Sequence, residues 1–402
     1  MAQKKLMLLG GLRYLLPVIE EAHKLGIYVV TADYLPNNIA HKYSDEYVNV
    51  SVVDKEAVLA AAKEHQIDGI MSFAVDPGVV AASYVQEQLG LPSFGPHESV
   101  CILQNKDRFR QFLRGNGFNC PWSQGFGSAE DAVKEQNIPS WPCIVKPTDS
   151  AGSKGVTRVD RIENLKAAVD YAFKCSISGR VIIEEFLEND GCSSDTDSFL
   201  HDGQLKFVSF SAQRFDLNAV NPFTPSAFSW PSTFSKEQEA DLTSELQRLF
   251  TLLKMKTSVF NIETRIANGK PYIMKATPRG GGNRLSEMLR YATGVDMIRA
   301  CVQASVGLPV DNIEQKPYDG HWAEIILHAD NNGSFDELIT DEASVGAIVI
   351  ERDLWVKQGD AVEAFSGANN AIGTLVVRFD TEKALVAAMN DIASWVKVKV
   401  KI

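Results

Sequence analysis

Long apolar runs are missing from this 402-residue chain. No uninterrupted stretch reaches the roughly 18 residues that cross a bilayer, which excludes a membrane-spanning helix. Cysteine is sparse: Cys101, Cys120, Cys143, Cys175, Cys192 and Cys301 are far apart, with no C-x-x-C spacing for zinc or a redox pair. The seven histidines (His23, His41, His65, His97, His201, His321 and His328) are scattered, so no His–Asp–Ser triad or metal cluster emerges. Positive charge is short too: 40 Lys+Arg against 51 Asp+Glu leave a net charge of −11. Such a chain repels phosphate backbones and anionic membranes, which speaks against nucleic-acid and membrane partners. Any phosphate site must be built locally, from a few aimed cations and backbone amides. Internal repeats and low-complexity tracts are absent. The opening MAQKKLMLLGGLRYLLPV lacks an A-x-A cleavage site and leads into a glycine turn, so it reads as a first buried strand and the expected location is cytoplasmic.

What is present is ordinary for a globular protein, 45% hydrophobic and 23% charged, at a length that implies two or three domains. Over the first hundred residues, strands at Lys5–Leu9, Ile27–Ala32, Tyr47–Val50 and Gly69–Phe73 alternate with helices at Leu15–Leu25, Lys55–Gln66 and Gly78–Leu89. That alternation predicts a parallel sheet covered on both faces. Gly10-Gly11 either makes the first turn or cradles an anion at a helix N-terminus. From Asn105 the order becomes mixed. Strands around Trp141–Lys146, Val156–Val159, Arg180–Glu185, Ser198–Leu200 and Leu205–Ser211 fall among helices, with Glu188–Asp197 an acidic-polar connection. Val259–Ile266 and Pro271–Lys275 bracket Asn268-Gly269, a hairpin signal. An antiparallel α+β region is expected there. Short strand candidates then lead to a closing helix from Glu382 to about Ser394.

Chemistry concentrates in three stretches. In Ile144-Val-Lys-Pro-Thr-Asp-Ser-Ala-Gly-Ser-Lys-Gly-Val156 an apolar strand delivers Lys146 to its end and a Gly/Ser loop follows. Small residues let backbone amides approach polyphosphate oxygens, and the lysine adds fixed charge. A surface hairpin with a solvated lysine is the plain alternative. Val181-Ile-Ile-Glu-Glu-Phe-Leu187 can offer backbone groups to a purine edge, or is simply a strand ending in acids. Val259-Phe-Asn-Ile-Glu-Thr-Arg265 puts Asn261, Glu263 and Arg265 on one face, and the returning strand enters Lys275-Ala-Thr-Pro-Arg-Gly-Gly-Gly-Asn-Arg284. A carboxylate beside an arginine-containing glycine loop suits metal-assisted phosphoryl chemistry. A polar sheet face with a flexible loop would look the same.

In their order these parts, with Asn105-Lys106-Asp107 and Thr293-Gly-Val-Asp-Met-Ile298, resemble the ATP-grasp superfamily over roughly residues 1–305. That superfamily includes biotin carboxylase, D-alanine–D-alanine ligase and the carbamoyl-phosphate synthase large chain. The resemblance implies a multidomain α/β and α+β chain: an N-terminal parallel α/β (pre-ATP-grasp) domain at 1–104, a two-lobed ATP-grasp module at 105–307 with a lid lobe at about 120–187, and a small C-terminal accessory domain at 308–402. It implies ATP and Mg2+ as cofactors, and an acyl-phosphate made from a small carboxylate and displaced by an amine. A homodimer is compatible with it. Lys106 and Lys146 resemble the two lysines that hold ATP phosphates, and Ser150, Gly152, Ser153 and Gly155 the loop that closes over them. Glu184, with the backbone of Glu185 and Leu187, resembles the adenine-binding hinge. Asp195 or Asp197 stands in for the ribose-side acid, although Gly-x-Glu is absent after Gly191. Glu263 resembles the first magnesium ligand, and Arg279 the cation that steadies the transferring phosphate.

One departure bears on mechanism. The family usually reads Glu-x-Asn-Pro-Arg on the returning strand, the Glu bridging both metals; here it is Lys275-Ala-Thr277-Pro278-Arg279. At about 4 Å from a divalent ion this sign reversal is worth several kcal/mol even at an effective dielectric near 20. Either Lys275 contacts phosphate and replaces one metal, or the protein binds nucleotide and turns over poorly. On the second account, Lys275→Glu is expected to raise magnesium-dependent ATP consumption. Substrate contacts are expected from Gly281, Gly282 and Asn283, with Arg284 adding charge, and from Arg214 and the aromatic stretch Asn218–Pro231, which otherwise is a surface loop. The leading reading is a carboxylate–amine ligase. The contrasting one is a nucleotide-binding homologue without catalysis. A third, a nicotinamide oxidoreductase using Gly10-Gly11, leaves the Lys146 loop unexplained.

Overall fold

The computed structural model of the chain describes residues 3–135, 137–150 and 153–401, so Gly152 of the expected phosphate loop lies outside the described residues. The N-terminal region is built as the alternation demands: β1 (Lys5–Leu9), α1 (Leu16–Lys24), β2 (Tyr28–Asp33), β3 (Glu46–Asn49), α2 (Lys55–Glu64), β4 (Gly69–Ser72) and α3 (Asp76–Leu89). The strands lie parallel in the order β3-β2-β1-β4, with Lys5 opposite Tyr28 and Leu6 opposite Gly69. Leu6 to Leu9 are fully buried on both faces, as a central parallel strand requires. Gly10 has φ +114° and a Cβ there would sit 2.6 Å from Val75 Cγ2; at Gly11 it would meet Asn38 Cβ at 2.5 Å. Close packing of the turn accounts for the glycine pair.

Helices α4 (His97–Gln104) and α5 (Lys106–Gly115) lead to an antiparallel sheet of order β5-β8-β6-β7, made of β5 (Ser123–Phe126), β6 (Cys143–Pro147), β7 (Thr157–Val159) and β8 (Val181–Glu185). It is backed by α6 (Ala129–Val133) and α7 (Leu165–Cys175) through Val145, Val181, Ile183, Leu165 and Val169. The next sheet, β10-β9-β13-β14, comprises β9 (Ser194–His201), β10 (Gln204–Phe207), β13 (Ser258–Ala267) and β14 (Lys270–Thr277). Part of the segment read as an acidic-polar connection is therefore strand. The polar side chains of that strand part tolerate burial because they find partners, as in Thr196 Oγ1 to Ser209 Oγ at 2.5 Å and Ser194 Oγ accepting Ser211 N at 2.9 Å. The Asn268-Gly269 hairpin forms as expected, with φ of 51° and 71°.

Two further strands, β11 (Ala212–Phe215) and β12 (Pro225–Trp230), precede α8 (Lys236–Leu252) in the chain. After β14 come α9 (Leu285–Thr293), α10 (Met297–Ser305), β15 (His321–Leu327), β16 (Gly333–Thr340), α11 (Glu342–Val345), β17 (Ala347–Leu354), β18 (Ala361–Val362), β19 (Gly373–Phe379), α12 (Glu382–Asn390), α13 (Ile392–Trp395) and β20 (Val396–Lys401). A five-stranded antiparallel sheet, β11-β12-β15-β19-β17, joins strands from both sides of the boundary read at 307/308, and β18-β16-β20 forms a smaller one. The C-terminal segment thus completes a sheet begun a hundred residues earlier. Phe228 and Trp230, expected to wall a substrate, are fully buried in one core with Leu285 and Met288 of α9. The closing helix gives way to β20, whose V-K-V-K-V-K alternation is a period-two signal. No helix among the described residues is long and apolar enough to cross a membrane.

Candidate active site

Strand register builds the centre of the site. Asp195 on β9 lies opposite Glu263 on β13, and Glu263 lies opposite Lys275 on β14. One row along, Asp197, Asn261 and Thr277 line up likewise. Opposite residues in antiparallel strands share a face, so both rows look the same way. Asn261 Nδ2 donates to Asp195 Oδ1 at 2.7 Å. Burial, and then repulsion from Glu263, pushes the Asp195 carboxyl up to about 7. Asp197, raised by burial to about 6, accepts the Gly281 amide at 2.8 and 3.0 Å and Ser286 Oγ at 2.5 Å. It anchors the glycine loop, and the Gly281 amide assigned to substrate is spent on it.

Lys275 does not stand free. Its Nζ donates to Asp76 Oδ2 at 2.6 Å, while Arg279 donates from Nε to Asp76 Oδ1 at 2.8 Å and from Nη1 to Gly280 O at 2.8 Å. Burial works to raise the Asp76 carboxyl, but Arg279 and Lys275 overcome it and hold it well below the usual carboxylate range. Asp76 opens α3, so one acid from the parallel domain pairs with both Lys275 on β14 and Arg279 just beyond it. Sequence reading missed it. The signal was Asp-Pro at a strand-to-helix junction, where the helix dipole favours an acid.

The lysines assigned to phosphate gather beside this row. Lys106 begins α5, capped by Asn105 accepting from Arg108 N at 3.1 Å, and its Nζ donates to Ser150 O at 2.8 Å. Burial, with repulsion from Lys146 and Lys275, lowers its ammonium to about 7. Lys146, near the end of β6, forms an ion pair with Glu184 on β8, whose other oxygen accepts Arg110 Nε at 3.1 Å. Burial would raise Glu184, yet Arg110 and Lys146 bring it down to about 2. The Glu184 side chain is therefore a counter-charge, and Arg110 is a second missed residue, hidden because an arginine on an amphipathic helix normally faces water. Glu185 N donates to Trp122 O at 2.9 Å, tying the end of β8 to the chain before β5, and Leu187 is buried just beyond. Ser150 Oγ donates to Lys154 O at 2.7 Å, and Ser153 Oγ to Phe223 O at 2.8 Å, so the stretch Asn218–Pro231 meets the phosphate loop through its backbone. Gly155 has φ +78°, and a Cβ there would lie 2.7 Å from Cys175 Cβ.

Arg214 is not brought in. Its Nη1 donates to Ser229 Oγ at 2.7 Å, on the face of the five-stranded sheet opposite Phe228 and α9. Asn283 accepts from Tyr14 OH at 3.2 Å, and Asn283 and Arg284 take consecutive left-handed conformations (φ 55° and 58°), a strain typical of functional loops. Gly282 follows the anchored Gly281, and a Cβ there would come no nearer than 4.0 Å to Tyr14 Cε2, so its surface is open. Asp216, His328 and Asp330, scattered in sequence, come together elsewhere, with His328 Nε2 3.2 Å from Asp216 Oδ2.

Two opposed carboxylates flanked by three lysines and an arginine suit a polyanion carrying a divalent cation. Asp195 and Glu263 fit such an ion: hard oxygen donors whose mutual repulsion it would relieve. Comparison with known proteins agrees with the geometry. Residues 139–287 match the model of the ATP-grasp domain. A formate-dependent phosphoribosylglycinamide formyltransferase of Parasynechococcus marenigrum is 29% identical over 190 residues, 46% of this chain and 49% of the relative, so the match spans about half of that protein's length. Among solved structures, an L-amino acid ligase from Bacillus licheniformis superposes with a TM-score of 0.79 at 19% identity, covering 100% of this chain and 99% of the other. Phosphoribosylglycinamide synthetase from Anaerococcus prevotii gives 0.74 at 16% identity, covering 99% and 100%.

Proposed function

Because this chain carries an ATP-grasp domain over residues 139–287, we propose that it is an ATP- and magnesium-dependent ligase that joins a small carboxylate to an amine. The observation that carries the reading is the cross-strand pair Asp195–Glu263 beside Lys106, Lys146 and Arg279. Lys106 and Lys146 bind the phosphates, Glu184 and Arg110 hold Lys146 in place, and Ser150 with Ser153 to Gly155 cover them. Glu185 to Leu187 edge the adenine. Asp195 and Glu263 hold magnesium, which when bound supplies positive charge to the phosphate oxygens. This moves Asp195 from the ribose side to the metal side, and puts the second acid on β9 instead of at position 275. Arg279, oriented by Asp76, faces the transferring phosphoryl group, and Gly282 and Asn283 face the substrate. A carboxylate oxygen bonds to the γ-phosphorus as the bond to ADP breaks. The amine lone pair then attacks the acyl carbon, the bond to phosphate breaks, and the amine proton leaves to solvent.

ADP and inorganic phosphate should appear only when a carboxylate and an amine from a substrate panel are both present. Tight ATP binding with no product from any pair would instead favour the non-catalytic reading, for which Lys275 is the specific argument. A pH effect follows as well. Protonated Lys106 binds phosphate better than neutral Lys106, and its free-protein value is about 7. Above that pH, affinity for ATP without magnesium is expected to fall by up to about tenfold per unit, with uptake of about one proton at pH 8. Magnesium is omitted because its binding would displace the proton of Asp195, held at about 7, into solvent. Binding enthalpies that do not vary with the ionisation enthalpy of the buffer would contradict this role for Lys106.

A further inference from the structure

Behind the glycine loop lies a cleft of about 250 Å3 between the parallel domain and the five-stranded sheet. Five acids (Glu20, Glu21, Glu287, Glu351, Asp353) and three arginines (Arg13, Arg284, Arg290) line it, so its walls carry excess negative charge. Tyr14 also lines it and reaches Asn283 of the glycine loop, which sets the cleft against the expected place of the acyl group. Arg284, at the start of α9, is already engaged: Nη2 donates to Glu351 Oε2 at 2.8 Å, Nη1 to Thr374 Oγ1 at 3.2 Å and Nε to Glu287 Oε1 at 3.3 Å.

Beneath these groups sits Glu324, at the centre of the five-stranded sheet. It lies opposite Phe228 and Val376, and Val376 lies opposite Glu351, so Glu324 and Glu351 share the face on which Arg284 rests. Glu324 is fully buried, and among the described residues neither carboxylate oxygen has a hydrogen-bond partner. Burial raises its pKa far above the usual carboxylate range, and Arg284 alone opposes the shift while Glu287 and Glu351 add to it. Leaving a buried acid unpaired costs stability, and nothing in the packing requires one: neighbouring Trp322 and Ile326 fill the same face with apolar atoms. Glu324 does not itself line the cleft, but an ammonium held there against Glu287 and Glu351 would favour its ionised form and offset the surplus of acids.

We propose that this cleft binds a substrate as its ammonium, with Glu324 as the buried counter-charge and Glu287 and Glu351 at the rim. The ammonium-bearing molecule is the ligation partner presented to the glycine loop, and its nitrogen attacks once the ammonium has passed a proton to solvent. That role rests on the ligase reading, whereas the binding itself does not. The probe is 1,4-diaminobutane, compared with the uncharged 1,4-butanediol and the anion succinate, titrated calorimetrically into the full chain with a non-hydrolysable ATP analogue and magnesium. The diamine should bind and the other two should not. Glu324→Gln, which keeps shape and hydrogen-bonding capacity, should weaken the diamine about tenfold or more, and Glu351→Gln several-fold, with nucleotide affinity unchanged in both. Should Glu324→Gln fail to fold, Glu351→Gln carries the test. Equal diamine affinity in wild type and variants, or none up to about 10 mM, overturns the inference. Failure of wild type to bind the nucleotide analogue would instead strike the ligase reading, so the two failures are told apart.

Discussion

Lys146→Ala is expected to lower ATP affinity by about 100-fold and leave the chain folded. A unit charge about 4 Å from a phosphate is worth at most about 4 kcal/mol at an effective dielectric near 20. Glu184 neutralises part of it, which leaves about 2–3 kcal/mol. The fold survives because Glu184 keeps Arg110 Nε at 3.1 Å, so no buried carboxylate is stranded. Removing Lys146 also relieves repulsion on Lys106, whose ammonium should titrate higher than in wild type. Calorimetric affinities within threefold of each other would remove the phosphate argument. A large drop in melting temperature would show that the lysine is structural.

Asp76→Asn should act in the opposite way, with a larger effect on stability than on nucleotide affinity. The carboxylate holds Lys275 and Arg279 together, and the Arg279 side chain is only 6% exposed. Stranding a buried charge costs about 3–5 kcal/mol, and partial exposure of Lys275 brings the expectation to about 2–3 kcal/mol. The melting temperature should fall by about 2–4 °C, and turnover with it, since Arg279 loses its orientation. The sign of the pH dependence is set by the depressed Asp76 carboxyl. Its contribution is fully present above the unfolded value near 3.9 and is lost as pH falls towards the lower folded one, so the gap between wild type and variant should be flat above about pH 5 and close only in acid. Lys275→Met added to Asp76→Asn should recover part of the loss by removing the unpaired ammonium. No recovery would mean that Arg279 alone carries the effect.

The same geometry reverses an expectation drawn from the family pattern. Lys275→Glu looked like restoration of a metal ligand. In the fold it adds a fourth carboxylate to Asp76, Glu263 and Asp195, the last at about 7. Turnover should fall, and rise only when Asp76→Asn is combined with it. Higher turnover in the single variant would restore the sequence-based account.

The sequence by itself determined the parallel first sheet, the Asn268-Gly269 hairpin, Lys146 at a strand end and the glycine loop, because each depends on local periodicity and on residues a few positions apart. It also determined that phosphate binding must come from a few aimed cations. Only the tertiary structure decided which charges meet. Asp76 reaches Lys275 across 199 positions and Arg110 reaches Glu184 across 74, while register alone brings Asp195 opposite Glu263. It also decided that Arg214 lies on the wrong face and that Glu324 is buried without a partner. Coulomb energy and desolvation depend on distance and burial in space, and neither is written in the spacing of residues along the chain.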